Sequence, residues 1–244
     1  SLDLRLGVFD SPLGYESLDR NQNPLYTHSW GFTIEPTLHT GLLAMYPGVD
    51  ALENGESDYL FSFGVANTID PRINATAQNE DRKTFLAGLT WLLPDSFGRL
   101  GGTAFSAGYV NGRARTGAVT PQNLYLGVGL PLPSDRWSLG LVYDARVLDG
   151  AGNDDSVFGA YLGHRLNDKL SLNLRGEIFQ DGAKLFNSES ATEQTDGHGL
   201  TATLDYKLWE NVISRLEYRW DHTDSLVNGR NNTQALHLNL IYEF

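Results

Sequence analysis

Apolar and polar residues alternate with a period of two through most of the chain, most plainly in its C-terminal half. Val212, Ser214, Leu216, Tyr218 and Trp220 interleave with Ile213, Arg215, Glu217, Arg219 and Asp221, so one row is mostly apolar and aromatic and the other mostly charged. Successive side chains of a strand point to opposite faces, so this spacing predicts a strand with one apolar side. Leu236, Leu238, Leu240, Tyr242 and Phe244 repeat the pattern against His237, Asn239, Ile241 and Glu243. So do residues 200–208, 170–178, 137–147 and 124–130, and at the start Leu2, Leu4, Leu6 and Val8 stand against Asp3, Arg5 and Gly7. Residues 38–46, 59–66 and 84–93 fit more loosely, and 103–110 and 156–165 are small and apolar on both faces. The pattern predicts about twelve strands in a single domain over residues 1–244.

The connections alternate too. Residues 94–98, 131–136, 167–169 and 209–211 are short, whereas 69–82, 111–121, 149–155, 181–195 and 223–231 are longer and polar; 49–57 breaks the rule. Short turns at one end and long loops at the other are the asymmetry of an outer-membrane barrel, and an even strand count brings both chain ends to the periplasmic side.

A soluble sandwich or lipocalin-like barrel also alternates, with its apolar row turned inward. Three features favour the membrane here. The polar rows are charged along whole strands, and aromatics such as Tyr46, Tyr59, Trp91, Trp137, Tyr206 and Tyr242 stand near segment ends on the apolar face. The strands also approach the roughly 9–11 residues that cross a bilayer at a tilt. No stretch approaches the roughly 18 apolar residues of a membrane helix, and the mean hydropathy is -0.31, so the expected fold is all-β, a transmembrane antiparallel up-and-down β-barrel.

Composition narrows the function. A formal net charge of -12 disfavours nucleic-acid binding, and the absence of Cys removes disulfides, thiolate metal sites and thiol nucleophiles. The six His show no pair at metal-ligand spacing along the chain, and the acidic loops lack an EF-hand pattern, so no metal and no cofactor is expected. No G-x-S-x-G occurs, which leaves no basis for predicting an enzyme. No signal peptide is visible at Ser1, as expected if one is removed from the mature chain or the sequence begins later.

Two segments resemble known proteins. Residues 236–244 end on an aromatic after alternating apolar positions, and Leu240, Tyr242 and Phe244 resemble the C-terminal signal that outer-membrane barrels present to their assembly machinery. Near the start, F-x-S-P-L-G-Y-E (Phe9 to Glu16) followed by E-P-T-L-H-T-G (Glu35 to Gly41) resembles the β-barrel porin type 2 family of Gram-negative bacteria. The motif covers roughly the first 46 residues, and the rest agrees in architecture. The resemblance implies an outer-membrane channel. Family members are usually longer, with strands ahead of this motif, which would raise the count to about 16.

The segment 10–36 is too long and too rich in Pro, Gly and Asn for a hairpin loop, yet it keeps Leu13, Tyr15, Leu25, Tyr26, Trp30 and Phe32. It is expected to fold into the barrel mouth or over its rim, with Tyr15, Glu16, Asp19, Arg20, Glu35 and His39 as constriction candidates. The lumen-facing charges would be Asp3, Arg5, Asp144, Arg146, Arg175, Glu177, Asp205, Lys207, Arg215, Glu217, Arg219 and Asp221, which either bias ion entry or pair across strands. The function expected is a porin passing small hydrophilic solutes or ions, in contact with outer-membrane lipid and the assembly machinery. Porins are often trimers, though no subunit interface can be picked from the sequence. The alternatives are a barrel that sheathes or docks a partner protein and an outer-membrane lipid-modifying enzyme.

Overall fold

The computed structural model describes residues 2–69, 83–112, 120–149, 154–181, 195–227 and 229–243. The strands are β1 (Asp3–Asp10), β2 (Leu38–Tyr46), β3 (Tyr59–Ala66), β4 (Thr84–Leu92), β5 (Ala104–Asn111) and β6 (Thr120–Leu130). They continue as β7 (Trp137–Asp149), β8 (Asp155–Arg165), β9 (Leu170–Asp181), β10 (Thr195–Trp209), β11 (Val212–Val227) and β12 (Arg230–Tyr242). All twelve lie in one antiparallel sheet in chain order, each paired with its sequence neighbours. Among the described residues no ladder joins β1 to β12.

The two rows of each strand meet opposite environments. Arg175, Glu177, Arg215 and Glu217 are buried, while the apolar residues beside them, Ile178, Leu216 and Tyr218, are exposed. A charged row buried and an apolar row bared is the inverse of a soluble fold, and is how a wall in lipid is built. The two rows belong to the two sides of one curled sheet. The connection between β1 and β2 supplies the proof of curling, since its Tyr26 ring lies 5.3 Å from that of His237 on β12, at the far end of the strand order. Outward aromatics gather where the short connections lie: Tyr59 contacts Phe61, and Trp91 contacts both Phe97 and Phe105.

The short turns are held by their own chemistry. Asn167 Oδ1 accepts from the backbone of Lys169 and Leu170 at 2.9 and 3.0 Å, closing the turn between β8 and β9. Connection 94–98 extends further than expected, through a 3₁₀ turn at Asp95–Leu100 before β5 begins at Ala104. The exceptional connection 49–57 contains a short helix, α2 (Val49–Glu53), and Asp3 accepts from the Val49 backbone N–H at 3.0 Å. The polar stretch 223–231 is mostly strand: β11 runs to Val227 and β12 starts at Arg230. The ladder between them shifts register after His222–Asn232 and meets again at Val227–Arg230, so the polar composition of this hairpin end disturbs the pairing without ending the strands. The longer polar connections 70–82, 113–119, 150–153 and 182–194 fall outside the described residues.

An outward-facing position in the middle of β11 tests the inside-out reading. Leu216→Arg is expected to destabilise the lipid-inserted protein by about 2–4 kcal/mol, the cost of a cation on the lipid face near the midplane. Guanidinium unfolding from lipid bilayers measures it, and an unchanged midpoint would place this face in water.

Candidate channel constriction

The ladder of β1 and β2 ends at Asp10 opposite Leu38, and Ser11 N–H donates to Thr37 O at 2.9 Å to close the neck of the loop between them. Leu13, Tyr15, Leu25, Tyr26, Trp30 and Phe32 of that loop all make contacts with the wall or within the loop, while Leu18 is exposed. Leu13 and Leu25 join a buried cluster with Phe9, Leu43, Leu86 and Tyr125. Tyr15 meets Tyr161 at 4.4 Å, Trp30 meets Phe179 at 5.0 Å, Phe32 stacks on His28 at 3.7 Å and Tyr26 meets His237. A one-turn helix, α1 (Trp30–Ile34), forms where Ser29 caps it by accepting from Phe32 N–H at 3.0 Å.

Most of the loop is irregular, so its backbone groups need partners outside it. The wall supplies them. Glu217 accepts from Tyr26 N–H at 2.6 Å and Thr27 N–H at 3.0 Å, and Thr203 donates to the same carboxylate at 2.6 Å. Arg175 donates to Thr27 O at 2.6 Å, His28 O at 3.2 Å and Glu16 at 2.9 Å, and its Nε stands 2.8 Å from Glu177. Glu177 in turn accepts from Trp30 N–H at 2.6 Å. Arg215 donates to Arg20 O at 2.7 Å while paired with Asp205 at 2.9 Å. Arg219 donates to His28 O and to Asp221, each at 2.7 Å, and its guanidinium lies 4.9 Å from the Trp30 ring centre. Asn173 reaches Pro24 O at 3.1 Å, and Asn123 reaches Ile34 O at 2.8 Å. The loop is therefore fastened to β9 and β11 mainly by charge-assisted bonds, the stronger kind, several of them out of contact with water, and to β6 by the neutral Asn123 amide.

Of the constriction candidates, Glu16 is the hub. Its carboxylate takes Ser29 N–H at 3.0 Å, Tyr161 O–H at 3.0 Å and Arg175, with His28 Nδ1 at 2.9 Å. Burial alone would raise its pKa, but the His28 bond, the Arg175 charge and the other donors hold it below the usual carboxylate range. Glu35 faces Asp144; burial of its carboxyl first, and then the charge of that neighbour, pushes its pKa well above the ordinary value. Gly14, at φ +105°, admits this arrangement, since a Cβ there would sit 2.7 Å from Glu35 Oε2. Gly31 similarly leaves room for the Asp144 carboxylate.

Tyr15 is partly exposed, and Asp19 and Arg20 are exposed, with Arg20 Nη1 donating to Tyr26 O at 2.8 Å. His39 is fully buried in the wall, its Nε2 3.3 Å from Ser11 Oγ, so its side chain reaches no open water. Among the wall charges Arg146 pairs with buried Asp155, whereas Arg5 and Lys207 are exposed near strand ends and Asp3 serves α2. Leu240 and Tyr242 lie exposed on β12, and Phe244 falls outside the described residues.

The sequence does not single out Tyr125, Tyr161, Asn123, Asn173 or Thr203 as partners of the loop. Their one legible signal is parity: each stands on the inward row of its strand, and for Tyr161 even that is blurred by the small apolar residues of 156–165. A cavity of ≈ 400 Å³ opens beside the loop, between Glu35, Pro36 and Asn123 on one side and Ile69, Arg146 and Leu148 on the other.

Among solved structures, a loop-deletion variant of OmpT, an outer membrane protein of Vibrio cholerae, is similar with a TM-score of 0.62 and 13% identity, over 98% of this chain and 74% of that one. OmpT itself matches with a TM-score of 0.61 and 12% identity, over 99% of this chain and 76% of that one. At these identities the likeness is one of fold. No curated protein gives a significant match. The inside-out wall, the porin fold and the sequence agree on a protein of the bacterial outer membrane. With residues 1–244 all matched, the chain belongs to the outer-membrane porin family described as "Putative beta-barrel porin-2, OmpL-like".

Proposed function

We propose that the protein is a passive diffusion channel for small hydrophilic solutes or ions, and that the loop of residues 11–37 sets its width. The observation that carries this reading is the fastening of that loop to the inward charges of β9 and β11, through Arg175 on the first and Arg215, Glu217 and Arg219 on the second. Inward charges bound to a loop are not free to filter ions. The remaining inward charges are of both signs, which supports a weakly selective path in place of a strongly cationic or anionic one. The cavity between Glu35 and Arg146 supports a route along the flank of α1.

In this reading the outward row meets outer-membrane lipid, the short connections and both chain ends face the periplasm, and Leu240, Tyr242 and Phe244 address the barrel-assembly machinery. No chemistry is asked of any residue. Planar-bilayer recording of the whole chain tests it. Steady ohmic steps are expected. Silent membranes containing correctly folded protein would overturn the channel and favour a filled barrel that docks a partner protein.

A further inference from the structure

His198 on β10 and His222 on β11 stand far apart in the sequence but directly opposite in the ladder, and their rings lie 5.0 Å apart at 39°. They occupy the outward row at the end of the wall remote from the short turns, one step beyond exposed Leu200 and its partner Trp220. Directly opposite residues of an antiparallel pair hold their Cβ atoms about 4.5–5.5 Å apart. Two imidazoles that share one ion each place a nitrogen about 2.0–2.1 Å from it, a separation these facing rings reach by side-chain rotation alone.

Second-sphere chemistry is also in place. Asn232, the β12 residue paired with His222, sets its Oδ1 3.0 Å from His222 Nδ1. A carbonyl oxygen there accepts from Nδ1–H, which fixes the tautomer and leaves the lone pair on Nε2 for a ligand. Asp224 Oδ1 stands 3.9 Å from that same Nε2, and Asp196 lies two residues before His198 on the same strand face. The other histidines are singly placed: His164 stacks on Trp137 at 3.8 Å, His28 faces Glu16, His237 faces Tyr26 and His39 is enclosed.

We propose that His198 and His222 form a two-imidazole site for a borderline divalent transition-metal ion, Zn²⁺ or Cu²⁺, on the outward rim of β10 and β11. Imidazole nitrogen suits these ions, whereas Ca²⁺ and Mg²⁺ demand oxygen. Among the described residues no three metal-ligating side chains cluster, so water fills the remaining positions and the site is open and exchangeable. Bound metal ties β10 to β11 at the rim. This inference is independent of whether the lumen conducts.

Trp220 reports on the site, since its ring lies 5.3 Å from His198 and 6.3 Å from His222. The experiment titrates the whole chain, folded in detergent and free of any affinity tag, with Cu²⁺ while tryptophan fluorescence is read, and with Zn²⁺ in a calorimeter. Saturable quenching and one Zn²⁺ bound per chain are expected. Either His198→Gln or His222→Gln should weaken both by tenfold or more, His164→Gln should leave both unchanged, and Trp220→Phe should remove most of the quenching while Zn²⁺ still binds. Equal binding by the unsubstituted chain and both Gln variants, or quenching that never saturates, would overturn the site.

Discussion

Deleting residues Tyr15 to Tyr26 is expected to raise single-channel conductance severalfold while the steps stay ohmic, and to admit larger sugars in liposome swelling. The deleted stretch contains Glu16, the acceptor for Tyr161 and Arg175, and the Arg20 carbonyl that Arg215 holds. It also contains Leu25, buried at the centre of the inward cluster, so its removal empties both the polar and the apolar halves of the filling. The wall should survive, because every neighbouring strand pair within it is held by its own backbone ladder. Arg175, Glu177 and Glu217 would then be hydrated by the widened lumen, which offsets the loss of their partners. Unchanged conductance with a correctly folded wall would mean that ions never pass this loop.

Arg175→Met should have the largest effect of any single substitution on stability, a loss of about 3–5 kcal/mol, the usual result of breaking a buried ion pair from one side. Arg175 is completely buried between Glu16 and Glu177, and the Thr27 and His28 carbonyls depend on it. Methionine fills much of the volume and satisfies none of these four groups. Lysine restores the charge but lacks the planar fork, so Arg175→Lys should recover only part of the loss. Combined with Glu16→Gln, the methionine substitution should cost less than the sum of the two, since each already removes the other's partner. Guanidinium unfolding in bilayers or micelles measures all three. A midpoint for Arg175→Met equal to that of the unsubstituted chain would mean the network is hydrated and incidental.

The wall was legible in the sequence because a strand between lipid and a polar interior has to alternate. Residues 212–221 could hardly be anything else, and all twelve strands appear near where the period of two puts them. Boundaries were less legible where composition misleads, as at 223–231, whose polar residues read as a loop but carry β11 on to Val227 and open β12 at Arg230. The expectation that residues 10–36 fold into the mouth or over the rim came from six apolar and aromatic side chains that a solvated loop would not keep. What those side chains touch was not readable. Fastening depends on which inward residues the curvature of the sheet brings opposite each loop carbonyl, and curvature leaves no mark on a one-dimensional pattern.

The same limit applies to individual charges. Arg175 and Glu217 read as lumen-facing, which fits either an ion filter or a cross-strand pair. The structure adds a third use: Arg175 donates to, and Glu217 accepts from, the loop backbone. His39 shows the opposite case: it read as a constriction candidate, but its side chain is fully buried, with Nε2 3.3 Å from Ser11 Oγ. His198 and His222 show why linear spacing missed a facing pair, since cross-strand neighbours are set by register.

The chain has no native cysteine, so a single introduced thiol reports on one position alone. The most direct test of the central claim is therefore the current through Asp19→Cys channels before and after a membrane-impermeant charged thiol reagent, beside Leu204→Cys on the outward row. Asp19 is exposed on the inward loop and Leu204 is exposed on the outward wall. Modification at Asp19→Cys should cut the current and modification at Leu204→Cys should leave it untouched. A current indifferent to a labelled Asp19→Cys would contradict the claim that the conducting path runs past this loop.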